Sequence, residues 1–271
     1  MKKTRKTEAG RVKMPRKTDE ILGVGITGTN KRELLTLASK VIKTRGKMTI
    51  ATPNPEIVVA AGRDGSLMMA LNASDVAIPD GVGLLWALKV QSAKCKVKNF
   101  KLQIKNYERI PGRELMVEFF KMSGDTRLKV YLLGGSEDVS EKALTRARRE
   151  FPGAIFAGES GGGVTKKGIA LKKDIVDKIN KFTPDFLFVA FGAPKQEKWV
   201  RKNRDKLNAR VIMTVGGALD YFAGTRPLPP RLVSRAGLEW LWRLFTKPGH
   251  VKRVFAAVIV FPLLVLKERL T

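Results

Sequence analysis

MTIATPNPEIVVAAGRDGSLMMALNASDVAIPDGVGLLW, residues 48–86, carries the rhythm of a β-α-β unit. A short apolar run at 48–51 stops at a polar elbow of Thr52, Pro53, Asn54 and Pro55. A second run, at 76–78, stops at Pro79, Asp80 and Gly81. Between them, residues 56–71 place apolar side chains at helical spacing, and a further helix is expected from Gly83. Strand carboxyl ends in a parallel open sheet face one crevice. Thr52, Asn54 and Asp80 are therefore expected to meet there although they lie far apart in the chain. From the residues alone, Asp80-Gly81 reads first as a turn and helix cap.

The same alternation runs through the rest of the chain. Residues 21–26 read as a first strand, and Thr29 and Asn30 can cap a helix over 31–44. The helix from Gly83 runs into a lysine-rich segment, residues 93–107, whose Val97, Leu102 and Ile104 read as an exposed hairpin or loop insertion. Helices are predicted over 114–122, 137–150 and 167–181, and strands over 128–133, 154–157, 186–191 and 211–215. Gly134-Gly135 turns the first of these strands into a helix; such a pair admits an anion to a helix amino end, or is only a tight turn. Gly158 and Gly161 to Gly163 read as a flexible loop over the crevice. The last two strands stop at GAPKQE (192–197) and GGALD (216–220). Several glycine-bearing elbows on one sheet edge make a ligand crevice.

Composition narrows the chemistry. Fifty-two Lys and Arg against 25 Asp and Glu give a formal net charge of +27. That charge attracts polyanions such as anionic lipid, nucleotide phosphates or nucleic acid. A nucleic-acid reading has no aromatic stacking surface or recognisable motif behind it. The lone Cys95 excludes an internal disulfide, and with His250 it cannot build a zinc cluster. No Asp-x-Asp pair occurs to hold a divalent cation on a diphosphate, so metal-independent chemistry is expected. The amino terminus has no apolar segment behind its charges, which points to a cytoplasmic setting. Residues 1–19 are expected to be a disordered basic arm, either solubilising or drawn to anionic lipid.

From residue 225 the character changes. Pro227, Pro229 and Pro230 mark a stiff link. A helix over 231–245 then carries Arg235, Glu239 and Arg243 on one face, and most of its other face is apolar. A basic-flanked apolar run at 254–266, interrupted by Pro262, falls short of the ~20 residues a bilayer span needs. It reads as an interfacial segment, with a buried core helix as the alternative.

Seven motifs in unbroken order, TPNPE (52–56), SDVAIPDGVG (74–83), RIPG (109–112), LLGG (132–135), GAPKQEKW (192–199), GGALDYFAG (216–224) and GLEWLWRL (237–244), resemble the WecG/TagA/CpsF glycosyltransferases. The resemblance implies an α/β, Rossmann-like, mostly parallel sheet over 20–224 and a helical basic appendage over 225–271 that serves as lid and membrane contact. It implies inverting, cofactor-free and metal-independent transfer of N-acetylmannosamine or its uronic acid. The donor would be a UDP-sugar, and the acceptor a polyprenyl-diphosphate-linked N-acetylglucosamine. Teichoic acid or other cell-surface polysaccharide synthesis at the inner membrane face is the implied setting. A relative of the same fold transferring glucose or another hexose is the alternative, and homo-oligomerisation is left open. By resemblance Asp80 is the general base, with Thr52 and Asn54 positioning the sugar. Arg109, Gly134, Gly135, Gln196 and Glu197 would contact nucleotide or sugar, and Arg235 and Arg243 would offset the diphosphate. The chain departs from the family in reading Leu228-Pro229-Pro230 where Arg-Ala-Pro is usual, and in its long basic segment at 93–107.

Overall fold

A computed structural model of the chain describes residues 12–92, 107–230, 232–233, 239–246 and 251–270. Its first element is a hairpin of β1 (Lys17–Ile21) and β2 (Val24–Thr27), paired antiparallel and separate from the main sheet. Leu22 and Gly23 turn the chain with positive φ, so the strand predicted over 21–26 is cut in two. The disordered arm predicted to residue 19 does not hold for its described end. Lys17 pairs in β1 and its Nζ donates to the carbonyls of Leu71 and Asn72 at 2.8 and 3.0 Å, while Val12 and Met14 pack on the core. Helix α1 (Lys31–Lys43) starts from a capping box, with Asn30 and Glu33 each accepting from the other's backbone N–H at 2.9 and 3.2 Å.

The main sheet has six parallel strands: β3 (Met48–Ala51), β4 (Val76–Ala77), β5 (Lys129–Gly134), β6 (Ile155–Glu159), β7 (Phe186–Ala190) and β8 (Val211–Thr214). Their order is β4-β3-β8-β7-β5-β6, the α/β architecture expected from the sequence. Between and after them run α2 (Pro55–Ala61), α3 (Gly65–Asn72), α4 (Val82–Ser92), α5 (Gly112–Thr126), α6 (Glu137–Glu150), α7 (Ile175–Phe182), α8 (Lys195–Asn203) and α9 (Ala218–Phe222). The single helix predicted over 56–71 is two. The chain stops at Gly62 and restarts where the Asp64 carboxylate accepts from the N–H groups of Ser66 and Leu67, a local cap that overrides the apolar periodicity. The helix predicted over 167–181 begins only at Ile175. Val164 bridges Ala170 in a small hairpin closed by Gly168 at φ +75°.

Covered on both faces, the strands alternate between two apolar layers. Phe186 and Phe188 face Phe119 and Phe120, whereas Leu187 and Val189 face Trp199 and Ile179. Phe120 packs edge-on to Phe151, Phe156, Phe188 and Phe222 with ring centroids 5.1–5.7 Å apart.

The carboxyl-terminal segment is integral to this core. Helix α10 (Glu239–Thr246) is followed by α11 (Val251–Phe255), a π-helical turn at Ala256–Val260 and α12 (Phe261–Leu270). Pro262 lies inside a helix that runs unbroken from Val251 to Leu270, directly after the widened turn, where a π-helical register accommodates a proline that donates no N–H. Phe261 and Val265 are buried against Val58, Leu84 and Leu88, and Gln91 Nε2 donates to Glu268 at 2.6 Å. Phe255, Ile259, Leu263, Leu266 and Leu270 remain exposed on the outer side. The run therefore has one buried and one exposed face. Among the described residues no helix is long and apolar enough to cross a membrane. Residues 1–11, the 93–106 portion of the lysine-rich segment and Arg235 lie outside the described residues.

Phe120→Ala is expected to cost about 3–5 kcal/mol of unfolding free energy, because four ring contacts leave a cavity the sheet cannot close. Urea unfolding should show the midpoint falling with an unchanged slope.

Candidate active site

Four adjacent strands, β4, β3, β8 and β7, send their elbows to one cleft of about 170 Å³. Local bonds fix each elbow. Thr52 donates its hydroxyl to the Thr214 carbonyl at 3.3 Å, tying the ends of β3 and β8. Asn54 caps α2, its side-chain oxygen accepting from Ile57 N–H at 3.0 Å, with Pro55 preset at the first helical position. Asp80 donates its backbone N–H to the Pro53 carbonyl at 2.8 Å, which joins the β4 elbow to the β3 elbow. Gly112 allows α5 to start against Thr52, since a Cβ there would come within 3.2 Å of the threonine methyl.

Gln196 joins the other two elbows. Its Oε1 accepts from Gly192 N–H at 3.2 Å and from Gly216 N–H at 3.0 Å, and its Nε2 donates to Glu197 Oε1 at 2.7 Å. Thr52, Asn54, Asp80 and Gln196 all line the cleft, so the convergence expected from the sequence is present in the geometry. Glu197 does not line it. Its carboxyl is buried behind Gln196, and burial pushes its pKa from the ordinary carboxylate range to about 7 against the opposing effects of Gln196, its own backbone N–H and Arg253.

Gly134 and Gly135 are also absent from the cleft wall. The sheet order puts β5 beyond β7, and close packing accounts for both glycines. A Cβ on Gly134 would lie 2.6 Å from the Ala190 backbone, and one on Gly135 would lie 2.8 Å from Val139. Gly161 packs under the Phe191 ring in the same way, so Gly161 to Gly163 do not form the expected loop over the crevice.

Among the described residues three cations face the cleft that the sequence did not single out. Arg113, Arg226 and Arg253 line it, together with Tyr221. Arg235 lies outside the described residues, as does the side chain of Arg243 in α10. Arg113 forms a two-pronged pair with Glu239 of α10, both bonds 3.0 Å, and Arg109 Nη2 reaches the same carboxylate at 2.9 Å. Arg226 pairs with Asp220 at 2.8 Å, and Arg253 approaches Glu56 at 3.9 Å while donating to the Ala193 carbonyl at 3.1 Å. Arg113 was legible in one respect. A cation in the first turn of a helix opposes the macrodipole, so it needs an anion nearby. Arg253 was read only as a flank of the apolar run.

A second, more apolar groove of about 410 Å³ adjoins the cleft. Pro55, Val82, Trp86, Trp240, Val258 and Phe261 contribute to its walls, and Arg109 lies at its rim. Asn54, Glu56, Asp80 and Glu239 line both spaces. Among the described residues no group of three or more His, Cys, Asp or Glu is arranged to hold a metal ion.

Glu239 thus anchors α10 over the cleft through three charge-assisted bonds, with all three side chains about a fifth exposed. Glu239→Gln should loosen that attachment by about 1–3 kcal/mol. Amide hydrogen exchange should speed up in α10 and stay unchanged in β7 and β8.

Comparison with known proteins agrees with this arrangement. The profile of the glycosyl transferase WecG/TagA/CpsF family matches residues 20–271. A Staphylococcus aureus (strain MRSA252) protein named N-acetylglucosaminyldiphosphoundecaprenol N-acetyl-beta-D-mannosaminyltransferase is 30% identical over 227 residues, 83% of each chain. A Bacillus spizizenii (strain W23) protein of the same name is 30% identical over 207 residues, 76% of this chain and 74% of its own. With its motifs in family order on a parallel sheet whose elbows share one cleft, the chain is a glycosyltransferase of the WecG/TagA/CpsF family.

Proposed function

We propose that the protein transfers N-acetylmannosamine, or its uronic acid, from a UDP-sugar to a polyprenyl-diphosphate-linked N-acetylglucosamine, with inversion and without a metal. One observation carries the reading: Asp80 lines both the polar cleft and the apolar groove. A transferase of this kind needs one carboxylate between a charged donor and a lipid-bearing acceptor. The acceptor class comes from the names of the two relatives.

The chemistry follows from that placement. The acceptor hydroxyl gives its proton to the Asp80 carboxylate as its oxygen bonds to the anomeric carbon. The bond from that carbon to the UDP oxygen breaks on the opposite face, and the electron pair leaves with the diphosphate. Thr52 and Asn54 sit beside Asp80 to hold the sugar, and Gln196 contributes the wall between the β7 and β8 elbows. Arg113, Arg226 and Arg253 offset the charge that develops on the leaving diphosphate. They add to the role assigned on sequence to Arg235 and Arg243, and guanidinium groups then do the electrostatic work for which a metal would otherwise serve.

The exposed face of α11 and α12 supports a peripheral seat on the inner leaflet. Phe255, Ile259, Leu263, Leu266 and Leu270 lie exposed among Lys252, Arg253, Lys267 and Arg269. Apolar insertion and attraction to anionic headgroups then act together.

The test is incubation with a panel of UDP-sugars and a soluble lipid-diphosphate N-acetylglucosamine analogue in the presence of a chelator, with products identified by mass. A disaccharide carrying N-acetylmannosamine or its uronic acid is expected, and Asp80→Asn should lower its formation by about 100-fold or more. Transfer of glucose instead, strict dependence on added magnesium, or full turnover by Asp80→Asn would each overturn part of the reading. Separately, Phe255→Glu combined with Leu263→Glu should reduce co-sedimentation with anionic vesicles while leaving transfer to the soluble analogue intact.

A further inference from the structure

Among the described residues Glu197 is the one buried carboxyl, and the mechanism leaves it without a task. It is 5% exposed, and one of its oxygens accepts from Gln196 Nε2 at 2.7 Å. Its other oxygen, Oε2, is buried and has no hydrogen-bond partner among the described residues. Thr214 Oγ1 is in the same condition. Glu197 and Thr214 both line a small cavity of about 20 Å³ on the far side of the elbows from the cleft, enough room for one water molecule. A buried carboxyl left half satisfied destabilises a fold, so its presence needs a compensating purpose.

Gln196 supplies the link. A side-chain amide can sit with its oxygen and nitrogen in either order, and the two orders differ only in their partners. Here the oxygen must face the N–H groups of Gly192 and Gly216, because a nitrogen there would set donor against donor. The Glu197 carboxylate, which only accepts, enforces that order from the other end. We propose that Glu197 is a positioning residue: it locks the Gln196 amide in one orientation and thereby holds the β7 and β8 elbows at the spacing the donor requires. This deepens the proposed function and rests on it for the identity of the donor, but not for the geometry.

The lock is sensitive to pH near neutrality. The charged groups around Glu197 are Arg253 on α11 and Arg201 and Arg204, which share the small cavity; Thr49 of β3, Ser74 just past α3 and Thr214 of β8 are the polar neighbours there among the described residues. Burial raises the pKa to about 7, whereas the bonds from Gln196 and from the Glu197 backbone N–H, and the charge of Arg253, favour the ionised form. An ionised Glu197 accepts more strongly from Gln196, so the lock tightens as pH rises through that value. Fold stability moves the other way. A carboxyl whose pKa is raised on folding contributes stability below its ordinary pKa, and that contribution is lost as pH rises through about 7.

Amide exchange protection at Gly192 and Gly216 tests this in the full chain, with strand amides of β7 and β8 as the internal reference. Glu197→Ala is expected to lower protection at both glycines by about tenfold, the loss of one charge-assisted bond to Gln196, and to leave the strands unchanged. Wild-type protection should step upward between pH 6 and 8, and Glu197→Gln should abolish the step. In transfer assays Glu197→Ala should raise the donor KM more than it lowers kcat. Unchanged protection in Glu197→Ala, a uniform loss across both strands, or a pH step surviving in Glu197→Gln would overturn the proposal. If the wild type transfers none of the UDP-sugars, the proposed function fails while the exchange measurements still decide the role of Glu197.

Discussion

Two backbone N–H groups at the ends of neighbouring parallel strands, Gly192 and Gly216, have no partner further along the ladder, and one amide oxygen of Gln196 satisfies both. Everything at the carboxyl edge of the sheet depends on this bond pair. It sets the distance between the β7 and β8 elbows, it holds the amino end of α8 against the sheet, and it places in the cleft wall a side chain whose oxygen already accepts twice. On the other side, Asp80 N–H and the Pro53 carbonyl do the same for the β4 and β3 elbows. The cleft is therefore the gap between two clamped pairs of strand ends, and the Thr52–Thr214 bond ties one pair to the other.

The two spaces at this edge differ in character, and the boundary between them falls on a few residues. Asn54, Glu56, Asp80 and Glu239 face both. One wall of the polar cleft and one wall of the apolar groove depend on the carboxyl-terminal helices, which are anchored by burial of Phe261 and Val265 and by the arginine clamp on Glu239. Of the three carboxylates standing between the polar space and the apolar one, Glu239 is held by Arg109 and Arg113 and Glu56 approaches Arg253, and Asp80 is the one that the proposed transfer uses.

Much of this was legible in the sequence because strand ends in a parallel sheet carry both the turn chemistry and the site. Thr52, Asn54, Asp80 and Gln196 sit immediately after apolar runs, and the sheet rule brings such elbows to one edge. Strand order is what the sequence does not display. Gly134 and Gly135 follow an equally good strand, yet β5 lies outside the four strands that surround the cleft, and their small size serves packing on Ala190 and Val139. Periodicity failed where a local cap intervened, as Asp64 split one predicted helix into two. Glu197 was grouped with Gln196 because they are adjacent in the chain, but successive residues on a helix point about 100° apart, so one faces the cleft and the other is buried behind it. Arg113 and Arg253 went unremarked because long side chains from α5 and α11 reach the cleft from positions no motif marks, while Arg235 and the side chain of Arg243 lie outside the described residues.

The pairing of those arginines bears on how the chain meets charged ligands. Little of the formal excess of 27 positive charges is expressed by the described residues that line the cleft. Among the described residues the carboxylates of Glu56, Asp80 and Glu239 balance the guanidinium groups of Arg113, Arg226 and Arg253. An arriving anion enters a zwitterionic lining and exchanges places with resident carboxylates, and Glu239 would surrender its arginines only by letting α10 shift. Background electrolyte should accordingly weaken attachment to charged surfaces far more than occupancy of the cleft, which decouples where the protein resides from what it holds.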